Sequence, residues 1–330
     1  MTWPTALGLL VGLGGAAFLV LSNDPAEILR LLLGAGWGLG LVLLLHLLQV
    51  VLSALGWAPL IRDGRRPGWL ALTRMRWARE SVNALLPVVQ AIGEIVRAQL
   101  LLRAGVSKLA VISSTAVDLA TEMASQIVFS LLGLAVLLVL PHQGGTEGWV
   151  LAATALFAGM TGVFMAAQRW GLFRLAERLL PRVAERVGWF SLGDLSGLHE
   201  AVVALYRQPR RLWLSGAAHL ASWLVGVAET WVALRLLGVE ASLAEALVIE
   251  SLGQAVRSAG FFIPGALGVQ EGGSVLICAI FGIPSDRAVA LALIRRLRDV
   301  ALGLPGIAAW RWEMARGRAP AMEKGLRTTP

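Results

Sequence analysis

The chain is predicted to be an all-α polytopic membrane protein, with about six transmembrane helices and two re-entrant hairpins arranged as an inverted repeat. Three observations predict this. Hydrophobic residues make up 57% of the 330 positions and charged residues 15%, and the mean hydropathy is +0.71. Soluble domains carry about 25% charged residues and about 45–50% apolar ones, so the polar surface here is too small to wrap a soluble globule. Second, apolar runs near or above the ~20 residues needed to cross a ~30 Å hydrocarbon core recur along the chain. Third, two interrupted apolar segments share one spacing at a constant offset.

The spans fall at about 5–22, 31–56, 108–140, 149–168, 212–238 and 286–312. The first has no Lys or Arg before it and no small-residue cleavage site after it, so it is expected to be retained. Orientation comes from the basic residues. The stretch 57–80 holds six arginines, Arg62, Arg65, Arg66, Arg74, Arg76 and Arg79, and 97–108 adds Arg97, Arg103 and Lys108. More arginines fall in 169–211, whereas 141–148 (PHQGGTEG) has none. The positive-inside rule puts 57–80, 169–211 and both termini in the cytoplasm of a multi-pass inner-membrane protein. Most of the +8 net charge is then a topology signal rather than a mark of nucleic-acid binding. Trp3, Trp57, Trp149, Trp170, Trp213, Trp310 and Trp312 near span ends fit an interfacial belt. The cytoplasmic segment 169–211 contains LFRLAERLLPRVAERV, whose Leu172, Leu175, Leu179, Val183 and Val187 share a helical face. It fits either a helix lying on anionic lipid headgroups or a linker helix packed on the bundle.

Residues 81–103 and 258–283 are apolar but interrupted by Pro87 and Pro264. Counting either as a plain span would reverse the orientation of its basic neighbours, so each is expected to enter and leave on one side. Broken segments at membrane depth need protein or a water-filled cavity around them. The two share S-x5-P-x6-E-x10-G, pairing Ser81, Pro87, Glu94 and Gly105 with Ser258, Pro264, Glu271 and Gly282. The same offset pairs Asp118 with Arg295 and Glu122 with Asp299. Half one then covers about 31–140 and half two about 212–312 of a single transmembrane domain, in opposite orientations. Inverted repeats whose broken helices meet at the midplane are a transporter architecture; a duplication kept for packing alone is the other reading.

An ionised group at bilayer depth costs roughly 2.5–3.5 kcal/mol on insertion scales, so it needs a partner or a role. Glu94 and Glu271 stand out, seven residues beyond each proline, as contacts for a headgroup cation or a coupling proton. Arg97 is placed to pair with Glu94 on one helix face. Glu271 has no such neighbour, and Arg257, Arg295 or Arg296 must reach it. Asp118, Glu122 and Gln126 form one face of the third span. Arg295, Arg296, Arg298 and Asp299 interrupt the sixth. Opposed acidic and basic faces predict a charge network between the halves, suited to a zwitterionic or phosphate headgroup; snorkelling of the arginines to an interface is the competing reading. His46, Gln49 and Glu229 are weaker interior polar positions. No catalytic, metal or cofactor motif is present, and the lone Cys278 excludes an intrachain disulfide.

The string Pro264-Gly265-Ala266-Leu267-Gly268-Val269-Gln270-Glu271-Gly272 resembles the P-x-G-x-G-x-x-E-G signature of the lysylphosphatidylglycerol synthase transmembrane (flippase-like) superfamily. Asn83, Pro87, Gly93, Glu94 and Arg97 match its first-half pattern. FFIPGALGVQEGG with IRRLRDVALGLPGIAAW is most similar to the hopanoid-biosynthesis-associated branch. The resemblance implies a non-enzymatic lipid transporter without the soluble aminoacyl-transfer domain. Its partners are then membrane lipids, a hopanoid or phospholipid-like substrate among them, and a homo-oligomer is possible. It places Asn83, Glu94, Arg97, Gln270 and Glu271 in the family's motifs, and the buried-charge reading adds Asp118, Glu122, Arg295, Arg296 and Asp299 as headgroup or proton-coupling contacts. Helix breaking falls to Pro87, Pro264, Gly265 and Gly268. A membrane scaffold or accessory subunit for lipid-modifying enzymes is the alternative function.

Overall fold

A computed structural model describes residues 24–85, 91–140, 196–259 and 269–316, with single positions 21, 155 and 159. The expected spans 5–22 and 149–168, the 172–187 helix, Pro87, Pro264, Gly265 and Gly268 lie outside the described residues. Among those described the secondary structure is helical, with no strand.

The expected span at 31–56 is two helices. Asp24 caps α1 (Pro25–Ala35) by accepting from the Ala26 and Glu27 amides, and Gly36 ends it at φ 47°. Helix α2 (Gly38–Trp57) follows and is extended by a 3-10 turn at Ala58–Leu60. Next come α3 (Trp69–Leu85), α4 (Ala91–Arg103) and α5 (Lys108–Leu137). After the segment outside the described residues come α6 (Leu198–Tyr206) and α7 (Pro209–Leu236). Helices α8 (Leu243–Ala259), α9 (Val269–Ala279) and α10 (Ser285–Arg316) complete the chain. Three stretches are long and apolar enough to cross a membrane: Gly38–Leu60, Lys108–Leu137 and Pro209–Leu236. Helix α10 is longer, but its central charges keep it out of that set.

The interrupted segments begin earlier than the sequence suggested. In place of 81–103 stand α3 and α4, starting at Trp69; in place of 258–283 stand α8 and α9, starting at Leu243. Arg74, Arg76 and Arg79, assigned to a cytoplasmic stretch, are therefore on the first arm of a helix pair. The described parts of α3 and α4, 17 and 13 residues, correspond to about 25 and 20 Å at ~1.5 Å per residue.

The turns recur at one offset: Lys108 and Ser285, the first residues of α5 and α10, are 177 positions apart. Gly105 and Gly282, the turn residues before α5 and α10, both take the left-handed backbone, at φ 88° and 68°. A side chain at either would be strained. Packing recurs too: α3 lies on α10 as α5 lies on α8, and α2 lies on α7. Helices α2 and α7 are antiparallel. Arg211 at the start of α7 bonds Pro59 at 2.6 Å, and Gly38 at the start of α2 abuts Leu236.

The two ends of the molecule differ in charge. One gathers Arg62, Arg65, Arg66, Arg74, Arg103, Lys108, Arg207, Arg210, Arg211 and Arg311. Its loops are tied together by Arg65 to the Gly105 carbonyl (3.4 Å), Asp63 to the Ser107 amide (2.9 Å) and Arg103 to the Met314 carbonyl (3.1 Å). The other holds Asp24, Glu27, Glu240, Glu245 and Asp286 with Arg30, Arg235 and Arg287. Trp213 and Trp312 are exposed near the basic end as an interfacial belt requires, but Trp57 is fully buried.

Candidate functional site

The interior polar residues form two networks. The first is built by α3, α4 and α5. Asp118, Glu122 and Gln126 on α5 all point inward, at 0%, 9% and 7% exposure, as their spacing predicted. Arg76 from α3 makes a bidentate pair with Glu122 (2.5 and 3.1 Å) and also bonds Glu80 at 2.7 Å. Arg79 reaches both Glu94 and Glu122. Arg97 from α4 pairs with Glu94, as expected, and with Asp118, each at 2.5 Å. Its guanidinium lies over Trp57, 4.4 Å from the ring centroid. That cation–π contact explains why Trp57 is in the core rather than at an interface. Asn83 accepts from the Gly93 amide at 3.0 Å and so ties the end of α3 to the start of α4.

The second network belongs to α7, α8, α9 and α10. Arg295 bonds Glu250 at 2.5 Å and Thr230 at 2.9 Å. Arg296 bonds Glu271 at 2.9 Å, one of the three partners the sequence offered. Arg298 binds Glu229 and Asp299. Arg295 and Arg298 are 7% and 8% exposed, so they are interior ion-pair members rather than snorkelling groups. Gln270 is buried, and its carbonyl oxygen has no partner among the described residues.

The expected pairing of acids on α5 with arginines on α10 does not occur among the described residues. Each network instead pairs its own charges, because the arms α3 and α4 bring arginines to α5 while α7, α8 and α9 bring carboxylates to α10. The links across are of another kind. His219 of α7 meets Asp118 at 2.9 Å, and His46 of α2 meets Glu229 at 3.3 Å. Ser53 meets Ser222 at 3.1 Å, while Gln126 donates to Ser258 at 2.6 Å and to the Gln254 carbonyl at 3.1 Å. Neutral or histidine hydrogen bonds cost less to part than buried ion pairs, whose broken charges are left unpaired.

Sequence reasoning missed Arg76, Arg79, Glu80, His219 and Glu250 and gave Glu229 little weight. The first three lay in an arginine-rich stretch that resembled a cytoplasmic loop. Their spacing at i, i+3 and i+4 puts them on one helix face, a signal that was available.

Where α2, α3 and α10 meet, a cavity of about 30 Å³ is lined by His46, Trp77, Glu80, Ser81, Asp299 and Gly303, among others. That is room for about one water. Glu94 and Glu271 are both engaged by arginines, while much of the two segments expected to frame the headgroup cavity, 87–94 and 264–271, lies outside the described residues. The set can hold charge apart at depth, keep it fully paired and exchange partners if the helix pairs shift. It includes no group of three or more metal-ligating side chains among the described residues. A family model described as the lysylphosphatidylglycerol synthase TM region matches residues 5–306. No curated protein and no solved structure matches the chain.

Proposed function

Because the chain belongs to the lysylphosphatidylglycerol synthase TM-region family, we propose that it moves a polar-headgroup lipid between the leaflets of a bacterial inner membrane. In this reading six spans and two re-entrant hairpins, α3–α4 and α8–α9, form an inverted repeat. The basic end and both termini face the cytoplasm. Support for the repeat comes from the 177-residue offset shared by the α5 and α10 starts and by the turn glycines Gly105 and Gly282, the exchanged packing of α3 on α10 and α5 on α8, and the antiparallel α2 and α7. The observation that carries the functional reading is the pair of ion networks whose arginine–carboxylate pairs each stay within one network, the links between them being histidine, amide and hydroxyl contacts among the described residues. Such an arrangement lets one half rock against the other without parting an arginine–carboxylate pair of either network, as alternating access around a midplane site requires.

The conformation described is the closed one. On opening, a headgroup enters between the networks and takes over hydrogen bonds now made by Glu94, Arg97, Glu271 and Arg296. A hopanoid-linked lipid is the substrate favoured by the branch resemblance, and the chemistry is transport rather than bond making. The test is reconstitution of the purified protein in liposomes carrying a headgroup-labelled phospholipid. Leaflet exchange is expected to rise well above protein-free liposomes and to fall about tenfold or more in Glu94→Gln and Glu271→Gln. A folded protein that moves no lipid overturns the proposal and leaves the scaffold reading.

A further inference from the structure

Away from the interior networks, at the basic end, the loop after the 3-10 turn walls an open cavity of about 600 Å³. Its lining is Ile61, Arg62, Asp63, Gly64, Arg66 and Arg211. Three guanidiniums thus converge from two distant parts of the chain, the 61–68 loop and the first turn of α7. As loop residues they had registered only as orientation signal.

The lining keeps an excess of positive charge. Asp63 is its one carboxylate against three arginines, and its two oxygens accept from backbone amides rather than from those guanidiniums. Oδ1 accepts from the Arg65 amide at 2.8 Å and Oδ2 from the Ser107 amide at 2.9 Å. Those backbone donors hold its carboxyl below the usual carboxylate range. It forms no ion pair with Arg62, Arg66 or Arg211. Arg66 donates to the Ala58 carbonyl at 3.2 Å and Arg211 to the Pro59 carbonyl at 2.6 Å. These neutral acceptors orient two guanidiniums and leave their charge intact. Arg62 is exposed and makes no hydrogen bond or ion pair among the described residues. In the interior, by contrast, Arg76, Arg79, Arg97, Arg295, Arg296 and Arg298 each meet a carboxylate.

We propose that this cavity is a binding site for a phosphate-bearing anion, held by Arg62, Arg66 and Arg211. A planar guanidinium presents paired donors that match phosphate oxygens, and two are already fixed by backbone carbonyls. Phosphate of this geometry is available from a lipid headgroup or from a free anion. The site does not depend on lipid translocation, because it is read by binding alone.

The test measures binding of dioctanoyl phosphatidylglycerol and, separately, of inorganic phosphate to the full chain in a neutral detergent. The R62Q/R66Q double variant leaves Arg211 to hold Pro59, and thermal midpoints check its folding. R62Q alone touches no other described side chain and serves if the double variant unfolds. Phosphatidylglycerol binding about tenfold or more weaker in the variant, with phosphate ineffective as a competitor, assigns a lipid headgroup. Phosphate binding that is lost in the same variant assigns a free anion. A control variant, R207Q/R210Q, removes two exposed arginines of the same end outside the cavity and is expected to change binding less than threefold. Equal binding by wild type and R62Q/R66Q, or an equal loss in the control, overturns the proposal, since the basic end then acts only as a diffuse charged face.

Discussion

Arg97 shows how one residue holds several elements together. It is fully buried, stacks on Trp57 of α2, and bonds Glu94 of its own helix and Asp118 of α5. A buried ion pair adds little over an apolar core of the same shape, but removing one partner leaves buried charges uncompensated. Arg97→Gln removes one partner from two buried carboxylates, leaving Glu94 to Arg79 and Asp118 to His219, and is expected to cost about 3 kcal/mol, the low end for a broken buried pair, read as a fall in thermal midpoint of the purified protein. Arg97→Lys is expected to recover less than half of that loss, because an ammonium can neither bond both carboxylates in one plane nor stack on the indole as well. A midpoint unchanged in Arg97→Gln would mean that Glu94 and Asp118 find other cations. Much of this residue's role was legible: Glu94 three positions earlier announced one bond. Its pairing with Asp118 depended on the turn at Gly105, and its stacking on Trp57 on a contact 40 residues away, which spacing does not encode.

At the scale of elements, the close packing of α5 on α8 rests on Gly133. A Cβ built there would collide with the side chain of Ser251. Gly133→Ala is accordingly expected to destabilise by about 1–3 kcal/mol, the usual cost of overpacking, with partial recovery in the double variant Gly133→Ala, Ser251→Gly. Equal stability of Gly133→Ala and wild type in thermal unfolding would show that the two helices separate freely. Pro87 and Pro264 lie outside the described residues, but the helices on either side were largely readable from the apolar runs. Their extents were not, because Arg74, Arg76 and Arg79 lower the hydropathy of α3 to that of a loop. Only the carboxylates of α5, about 45 positions later, make Arg76 and Arg79 interior charges, while Arg74 stays exposed. The same limit hid Glu250, whose partner Arg295 follows 45 positions on.

For the whole molecule, the decisive property is the charge difference between its ends. Interior arginines were counted as orientation signal in the sequence, yet removing Arg76 and Arg79 from that count does not weaken it. Arg62, Arg65, Arg66, Arg103, Lys108, Arg210 and Arg211 still collect at one end, and the opposite end carries more acids than arginines. The positive-inside rule then predicts that the end holding the 61–68 loop faces the cytoplasm. The one native cysteine, Cys278, is buried, so Cys278→Ala supplies a background without thiols. In that background, single cysteines at Arg65 and Lys108 are expected to resist a membrane-impermeant maleimide in intact spheroplasts and to react after lysis. Cysteines at Ser242 and Ser285, on the connections at the other end, are expected to react before lysis. The inverted repeat makes a sharper demand on the same assay. Gly68 and Ala104 flank α3 and α4, while Ser242 and Ala279 flank α8 and α9. Both cysteines of the first pair must label from one side and both of the second pair from the other. A pair split between the two sides would show that its helices complete a crossing, and the two halves would then no longer be related by inversion.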